Sequence, residues 1–178
     1  MRTASEMYEY CVSNGFGKGY NEKTALQHFQ VVEKNLLANE QVRHCFIGIL
    51  NFLSMTKHDQ NAAVVVTDKR VIYGQRLLFN RENSKSIGLA NISDVTRSST
   101  PLFTIITIDS IKDKFNIALS RDFGDKAYQV LVGSLDTKTE PTNAPDVSDQ
   151  LRKLKGLLDD GILTQDEFDR KKALLLGL

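Results

Sequence analysis

From Val42 to Leu119 the chain passes through seven short segments rich in β-branched and aromatic residues, and no helical pattern separates any two of them. That succession constrains the fold more than any other feature. Strands joined by short connections make an antiparallel sheet, and seven of them bend into a sandwich or barrel to bury a common face. The first segment, VRHCFIGIL at 42–50, alternates Val42, His44, Phe46, Gly48 and Leu50 against Arg43, Cys45, Ile47 and Ile49. Val64–Thr67 and Val71–Leu78 form a hairpin about the polar pair Asp68-Lys69. SKSIGL (84–89) and ISDVTR (92–97) are split by Ala90-Asn91, and 102–109 and 114–119 form a second hairpin across SIKD.

Helical patterns flank this β region. Thr3 and Glu6 have the spacing of a capping box, and Met7, Tyr8, Cys11 and Val12 share one face until Asn14-Gly15. A second helix is expected from about Glu22 to Leu37, capped by Asn21, with Leu26, Phe29, Val32 (or Val31), Leu36 and Leu37 on its apolar stripe. His28 on this helix has no second ligand at a useful spacing and is expected at the surface or its boundary. Between the two helices, NGFGKGYNEKT lacks a preceding strand and the Walker spacing, so its glycines read as a connector rather than a phosphate loop. After the last strand a helix is expected over about Asp125–Leu135, with Ala127, Val130, Leu131 and Leu135 on one side, covering the open end of the barrel.

The proline-containing stretch DTKTEPTNAPD (136–146) is a linker. Beyond it lies a helical hairpin. Val147, Leu151, Leu154 and Leu157/Leu158 mark the first helix and Gly161 ends it. Thr164 and Glu167 form another capping box, and Phe168, Ala173 and Leu175 mark the second helix. The fold class is therefore α+β, with four parts: N-terminal helices (1–39), a seven-stranded antiparallel barrel or sandwich capped by a helix (40–137), a linker (138–146) and a separate two-helix hairpin (147–178).

Composition excludes more than it selects. A net charge of +1 gives no overall field toward nucleic acid, and nucleic acid is not expected as a partner. The apolar runs are a handful of residues, whereas a membrane span needs about 20. The two cysteines, Cys11 and Cys45, are too few for a disulfide scaffold and read as small core residues, which points to the cytoplasm. Catalysis is not expected, nor any cofactor or metal. The three histidines are not paired with a carboxylate or thiol, and His44 and Cys45, adjacent on a strand, point to opposite faces. Asp159-Asp160 lack EF-hand spacing and read as solvated helix-end residues.

Residues 40–136 resemble a bacterial pleckstrin-homology domain of the YokE-like kind. The resemblance is carried by AAVVVTDKRVIYG (62–74), by SIGLANISDV (86–95) and by the closing helix. Residues 147–176 resemble the short C-terminal domain called SHOCT, through their helically spaced leucines, Gly-Ile-Leu-Thr, Glu-Phe and Lys-Lys. That second resemblance implies a bacterial or bacteriophage origin and, for the hairpin, association between chains.

Two surfaces follow as candidates. The first is a ligand surface of Arg43, Lys57, Lys69 and Arg70. Against it, Thr67, Asp68 and Arg70 have the chemistry of a register-setting turn, with Arg70 paired to a nearby carboxylate or carbonyl. Residues 41–137 hold 12 Lys/Arg against 9 Asp/Glu, an excess too dispersed to cage a phosphate. Binding of anionic lipid headgroups as a peripheral membrane module is therefore the alternative rather than the main expectation. The second surface is an assembly surface of Leu151, Leu154, Leu158, Phe168 and Leu175, because two short helices cannot cover all their leucines with each other. The expected function is a non-enzymatic binding or scaffold protein. Its barrel would recognise a protein or a weak ligand, and its hairpin would self-associate or bind a protein partner.

Overall fold

In a computed structural model of the chain, the structure describes residues 1–17, 19–136, 151, 155–156, 158 and 164–176, the last three through their backbone alone. The chain divides into two compact units, Met1–Asp136 and Thr137–Leu178.

Helix α1 spans Ala4–Ser13. The Glu6 amide donates to the Thr3 hydroxyl at 3.2 Å and the Thr3 amide to the Glu6 carboxylate at 3.0 Å, which closes the expected capping box. Helix α2 spans Glu22–Asn35, with the Asn21 side chain accepting from the Thr24 amide at 3.2 Å. Seven strands follow: β1 (Val42–Leu50), β2 (Asn61–Thr67), β3 (Arg70–Arg76), β4 (Glu82–Gly88), β5 (Ile92–Ser99), β6 (Phe103–Ser110) and β7 (Lys114–Ser120). Helix α3 (Arg121–Asp136) closes the first unit, and α4 (Gln165–Leu176) lies in the second.

The strands form one antiparallel sheet in the order β4-β3-β2-β1-β7-β6-β5. β1 pairs with β2 along nearly its whole length but with β7 only at Ile49 and Leu50. The sheet therefore pivots at one point between two meanders, β1–β4 and β5–β7, and curls into a half-barrel whose edges are β4 and β5. Gly48 sits at the pivot, where a Cβ would lie 2.5 Å from the Ala118 carbonyl oxygen and 2.6 Å from Ile117 Cγ1. Only Gly allows the two backbones to approach so closely.

Every residue from Ala62 to Gly74 is buried except the turn residues Asp68, Lys69 and Arg70. The near-continuous apolar run AAVVV is thus the signature of a strand covered on both faces. α2 covers one face. It packs so closely on β3 that a Cβ on Gly74 would meet Val32 Cγ2 at 2.7 Å and the His28 carbonyl oxygen at 2.9 Å. On the barrel side, Tyr73 meets Phe115 of β7 edge-on, with ring centroids 5.2 Å apart. Phe29, Phe46, Ile72, Ile106 and Leu131 are among the fully enclosed side chains, each contributing roughly 1.5–3 kcal/mol of burial free energy. α3 buries Ala127 and Leu131 and packs on β6 and β7, where Arg97 of β5 reaches Asp125 at 2.9 Å and lies 5.5 Å from the Tyr128 ring.

Several expectations need correction. His28 is buried, with 4% of its surface exposed, because α2 lies flat on β3 and turns this residue toward the sheet. Val12 is 48% exposed, since the buried face of α1 runs through Ala4, Met7 and Cys11. α2 stops at Asn35, leaving Leu37 largely exposed. α3 starts at Arg121, directly after β7, rather than at Asp125. β2 begins at Asn61 and β3 ends at Arg76. The expected linker (138–146) lies outside the described residues.

Candidate functional site

The densest polar cluster joins the N-terminal helices to the barrel. Glu40, in the connection from α2 to β1, has no exposed surface. Arg70 grips its carboxylate with two nitrogens, Nε to Oε1 and Nη2 to Oε2, both at 2.8 Å. The Thr67 hydroxyl donates to Oε1 at 2.8 Å and the Leu37 amide to Oε2 at 2.9 Å. Arg70 Nη2 also donates to the Asn35 carbonyl at 2.7 Å, and Nη1 to Ser86 Oγ at 3.2 Å. Burial alone raises the Glu40 carboxyl, but the bonds from Arg70, Leu37 and Thr67 and the Arg70 charge outweigh it and hold the group at about 2. The same Thr67 hydroxyl accepts from the amides of Lys69 and Arg70, and Asp68 accepts from the Gln41 amide at 2.9 Å. Arg70 therefore sits in the register-setting turn with its guanidinium engaged at all three nitrogens.

Of the four cations of the expected ligand surface, Arg43, Lys69 and Arg70 lie at one end of β2 and Lys57 at the other. Lys57 lies in the β1–β2 loop, before β2 begins, whereas Lys69 and Arg70 follow the end of β2. The seven residues of β2 put about 20 Å between those ends. Arg43 lies beside the Lys69 end, since its neighbour Val42 pairs with Thr67. The β1–β2 loop is closed by its own hydrogen bonds and ring contacts. Leu53 and Ser54 donate to the Lys57 carbonyl, Phe52 stacks on His58 and meets Phe103, and Leu53 and Met55 point outward, mostly exposed.

A cleft of about 400 Å³ lies where the half-barrel fails to close. The end of β4, the single 3₁₀ turn Leu89–Asn91, the start of β5 and the β6–β7 turn line it. Lys85 of β4 pairs with Asp113 of that turn at 2.6 Å, and Ile111 stands at the turn's tip with 96% of its surface exposed. Each of the two edge strands has a hydrogen-bonding side that no strand of the described sheet occupies.

The residues considered for chemistry are built into packing. Both thiols are buried; desolvation pushes Cys11 up to about 12 and raises Cys45 as well. His44 takes a 2.6 Å hydrogen bond with the Tyr10 hydroxyl, and His28 Nδ1 accepts from the Arg76 amide at 2.9 Å. Burial, reinforced by the Arg76 charge, lowers the His28 pKa and keeps the ring neutral. Among the described residues no group of three His, Cys, Asp or Glu is placed to hold a metal, and no helix is long and apolar enough to cross a membrane.

In the second unit, Thr164 and Glu167 close their capping box, with the Thr164 amide 3.0 Å from the carboxylate. Leu151, Leu158 and Phe168 are half-buried. Leu154 and the side chain of Leu175 lie outside the described residues. Sequence reasoning missed Glu40, whose only signal was a lone acid in a short helix-to-strand connection. It also missed Lys85 and Asp113, which are far apart in the chain.

Comparison with protein families matches residues 36–128 to the bacterial PH domain model and residues 149–176 to the short C-terminal domain model. Comparison with curated proteins finds no match. Similar solved structures include autoinhibited Vav1 (9% identity, TM-score 0.43, covering 81% of this chain and 25% of that one). The hSac2 domain from human phosphoinositide phosphatase Sac2 is also similar, at 11% identity and TM-score 0.41, covering 66% and 82%. The linker-DH/PH domains of p115-RhoGEF give 8% identity and TM-score 0.41, covering 75% and 39%. The chain thus spans a quarter of the first of these, and at such scores none of the three bears on function.

Proposed function

Because this chain belongs to the bacterial PH domain family and carries a short C-terminal domain behind it, we propose that it is a non-enzymatic binding and scaffold protein of the cytoplasm. Its half-barrel takes an extended protein segment at the open seam, and its C-terminal unit holds copies of the chain, or a protein partner, together. Both domain types are typically non-catalytic modules. The observation that carries the reading is the seam itself, where two unpaired strand edges flank a cleft of about 400 Å³. Such edges bind a peptide by strand addition: main-chain bonds give affinity and the cleft selects side chains.

Light scattering on the full chain beside a chain ending at Asp136 tests the scaffold half. The full chain is expected at a multiple of the monomer mass and the shortened chain at monomer mass. Two monomers would end that half of the proposal.

A second reading, contact with an anionic membrane, is favoured by the exposed Leu53 and Met55 beside Lys57. Flotation with phosphatidylglycerol vesicles at low salt checks it. The dispersed cations predict no flotation, whereas binding that vanishes with Lys57→Glu would establish the membrane reading.

A further inference from the structure

The glycine-bearing connector between α1 and α2 has no phosphate-loop spacing, yet it walls a cavity of about 180 Å³. The chain turns at Gly19, whose φ is 88°, and sets Tyr20 against the start of α2. The first two turns of α2 form a second wall, and Ile47 of β1 and Asn61 of β2 close the cavity from the sheet. At about 30 Å³ per water, the space equals about six water molecules.

His28, with 4% of its surface exposed, lines this cavity. Its Nδ1 accepts from the Arg76 amide at 2.9 Å, which fixes the proton of the neutral ring on Nε2. Among the described residues nothing accepts from Nε2. Arg76 Nε is the described side-chain polar atom that is fully enclosed without a partner, so Nε2 meets open space, and the cavity is the space that His28 walls. The Tyr20 hydroxyl and the Asn61 side-chain amide belong to the same lining and take no bond from the described residues. Burial pushes the Tyr20 phenol up to about 12, so it keeps its proton. The Asn21 side-chain oxygen is already engaged by the Thr24 amide and hydroxyl, at 3.2 and 3.4 Å.

We infer that this cavity binds a single carboxylate group, with His28 Nε2–H, the Tyr20 hydroxyl and the Asn61 amide donating to its oxygens. Three donors from three elements suit a group that only accepts. The positive end of the α2 dipole lies at the same place and favours one negative charge. No lysine, arginine, aspartate or glutamate lines the cavity, so a doubly charged phosphate lacks the cation it needs and a carboxylate meets no repulsion. The carboxylate belongs either to a small free acid or to the end of a peptide chain. The site shares no residue with the seam cleft, and its assignment does not rest on the seam reading.

The test follows the side-chain nitrogen signals of the full chain, labelled with ¹⁵N-histidine, at pH 7 and constant ionic strength. Sodium acetate is expected to shift His28 Nε2 saturably and to leave exposed His58 unmoved. Tyr20→Phe and Asn61→Ala should each weaken acetate about tenfold while His28 keeps its Nε2–H form, which shows that the Arg76 bond survives. Acetamide, of the same shape without the charge, and inorganic phosphate should each bind at least tenfold more weakly. N-acetyl-diglycine separates the two sources: tighter binding than acetate assigns a chain end, and weaker binding a free acid. A cavity that merely holds water gives no saturable shift with either carboxylate, and that result overturns the assignment. So does acetamide or phosphate binding as well as acetate, or acetate binding unchanged in both variants.

Discussion

At Glu40 a single buried carboxylate decides how the α2–β1 connection meets the barrel. Its charge is tolerated because Arg70, Thr67 and the Leu37 amide all donate to it. Removing the charge leaves Arg70 facing an uncompensated site, though Arg70, with 20% of its side chain exposed, can partly rehydrate. Glu40→Gln is therefore expected to cost about 3 kcal/mol in urea unfolding at pH 7, the lower end of the range for a broken buried pair. The pH profile gives an independent check. The Glu40 pKa is depressed from 4.5 to about 2 in the folded chain, so its contribution is present above 4.5 and lost as pH falls toward 2. His28 is also depressed, from 6.5, so the unfolded chain takes that proton first and stability declines as pH falls below 6.5. Two stages of acid destabilisation should appear in unfolding midpoints measured against pH, the lower one reduced in Glu40→Gln, with Glu6 and Glu82, whose carboxyls are also held below 4.5 by their hydrogen bonds, supplying the remainder.

At the scale of elements, the close seat of α2 on β3 depends on Gly74. A Cβ there meets Val32 Cγ2 at 2.7 Å, but also the His28 carbonyl and the Val32 amide nitrogen, both at 2.9 Å. Two of those three atoms are backbone and cannot rotate aside. Gly74→Ala is expected to cost about 1–3 kcal/mol by chemical denaturation. Adding Val32→Ala should not restore it, because the helix backbone itself is in the way; full recovery would mean that the side chain alone sets the distance. The same packing accounts for His28. It reads as a surface or boundary residue because its neighbours in sequence show only that α2 has an apolar stripe, not that α2 approaches β3 at Gly74 closely enough to enclose His28. The first turn of α3, ahead of the expected start at Asp125, is set by tertiary contact: Gly124 lies against Thr104 of β6, where a Cβ would be 2.2 Å from Thr104 Cβ.

At the scale of the molecule, two compact units share one chain. If the second unit assembles copies, folding is linked to association, and mass action makes the stability of the assembled form depend on concentration. The Tm of the full chain is expected to rise with protein concentration over a hundredfold range, while that of a chain ending at Asp136 stays constant. A full-chain Tm independent of concentration would count against assembly.

Seven antiparallel strands, helices on either side of them and three helix caps are legible in the order of residues alone. All of these are local: period, cap spacing and turn chemistry act over a few residues and survive any rearrangement of the whole. Only the tertiary structure decided that Arg70 belongs to Glu40 across 30 residues, that His28 is inside and that Lys57 stands far from Lys69. It also left the sheet open between β4 and β5 and held Phe79 out in strained backbone. Those outcomes depend on which surfaces meet when the sheet curls, and curling is governed by close approaches such as Gly48 on β7, which a one-dimensional pattern does not encode.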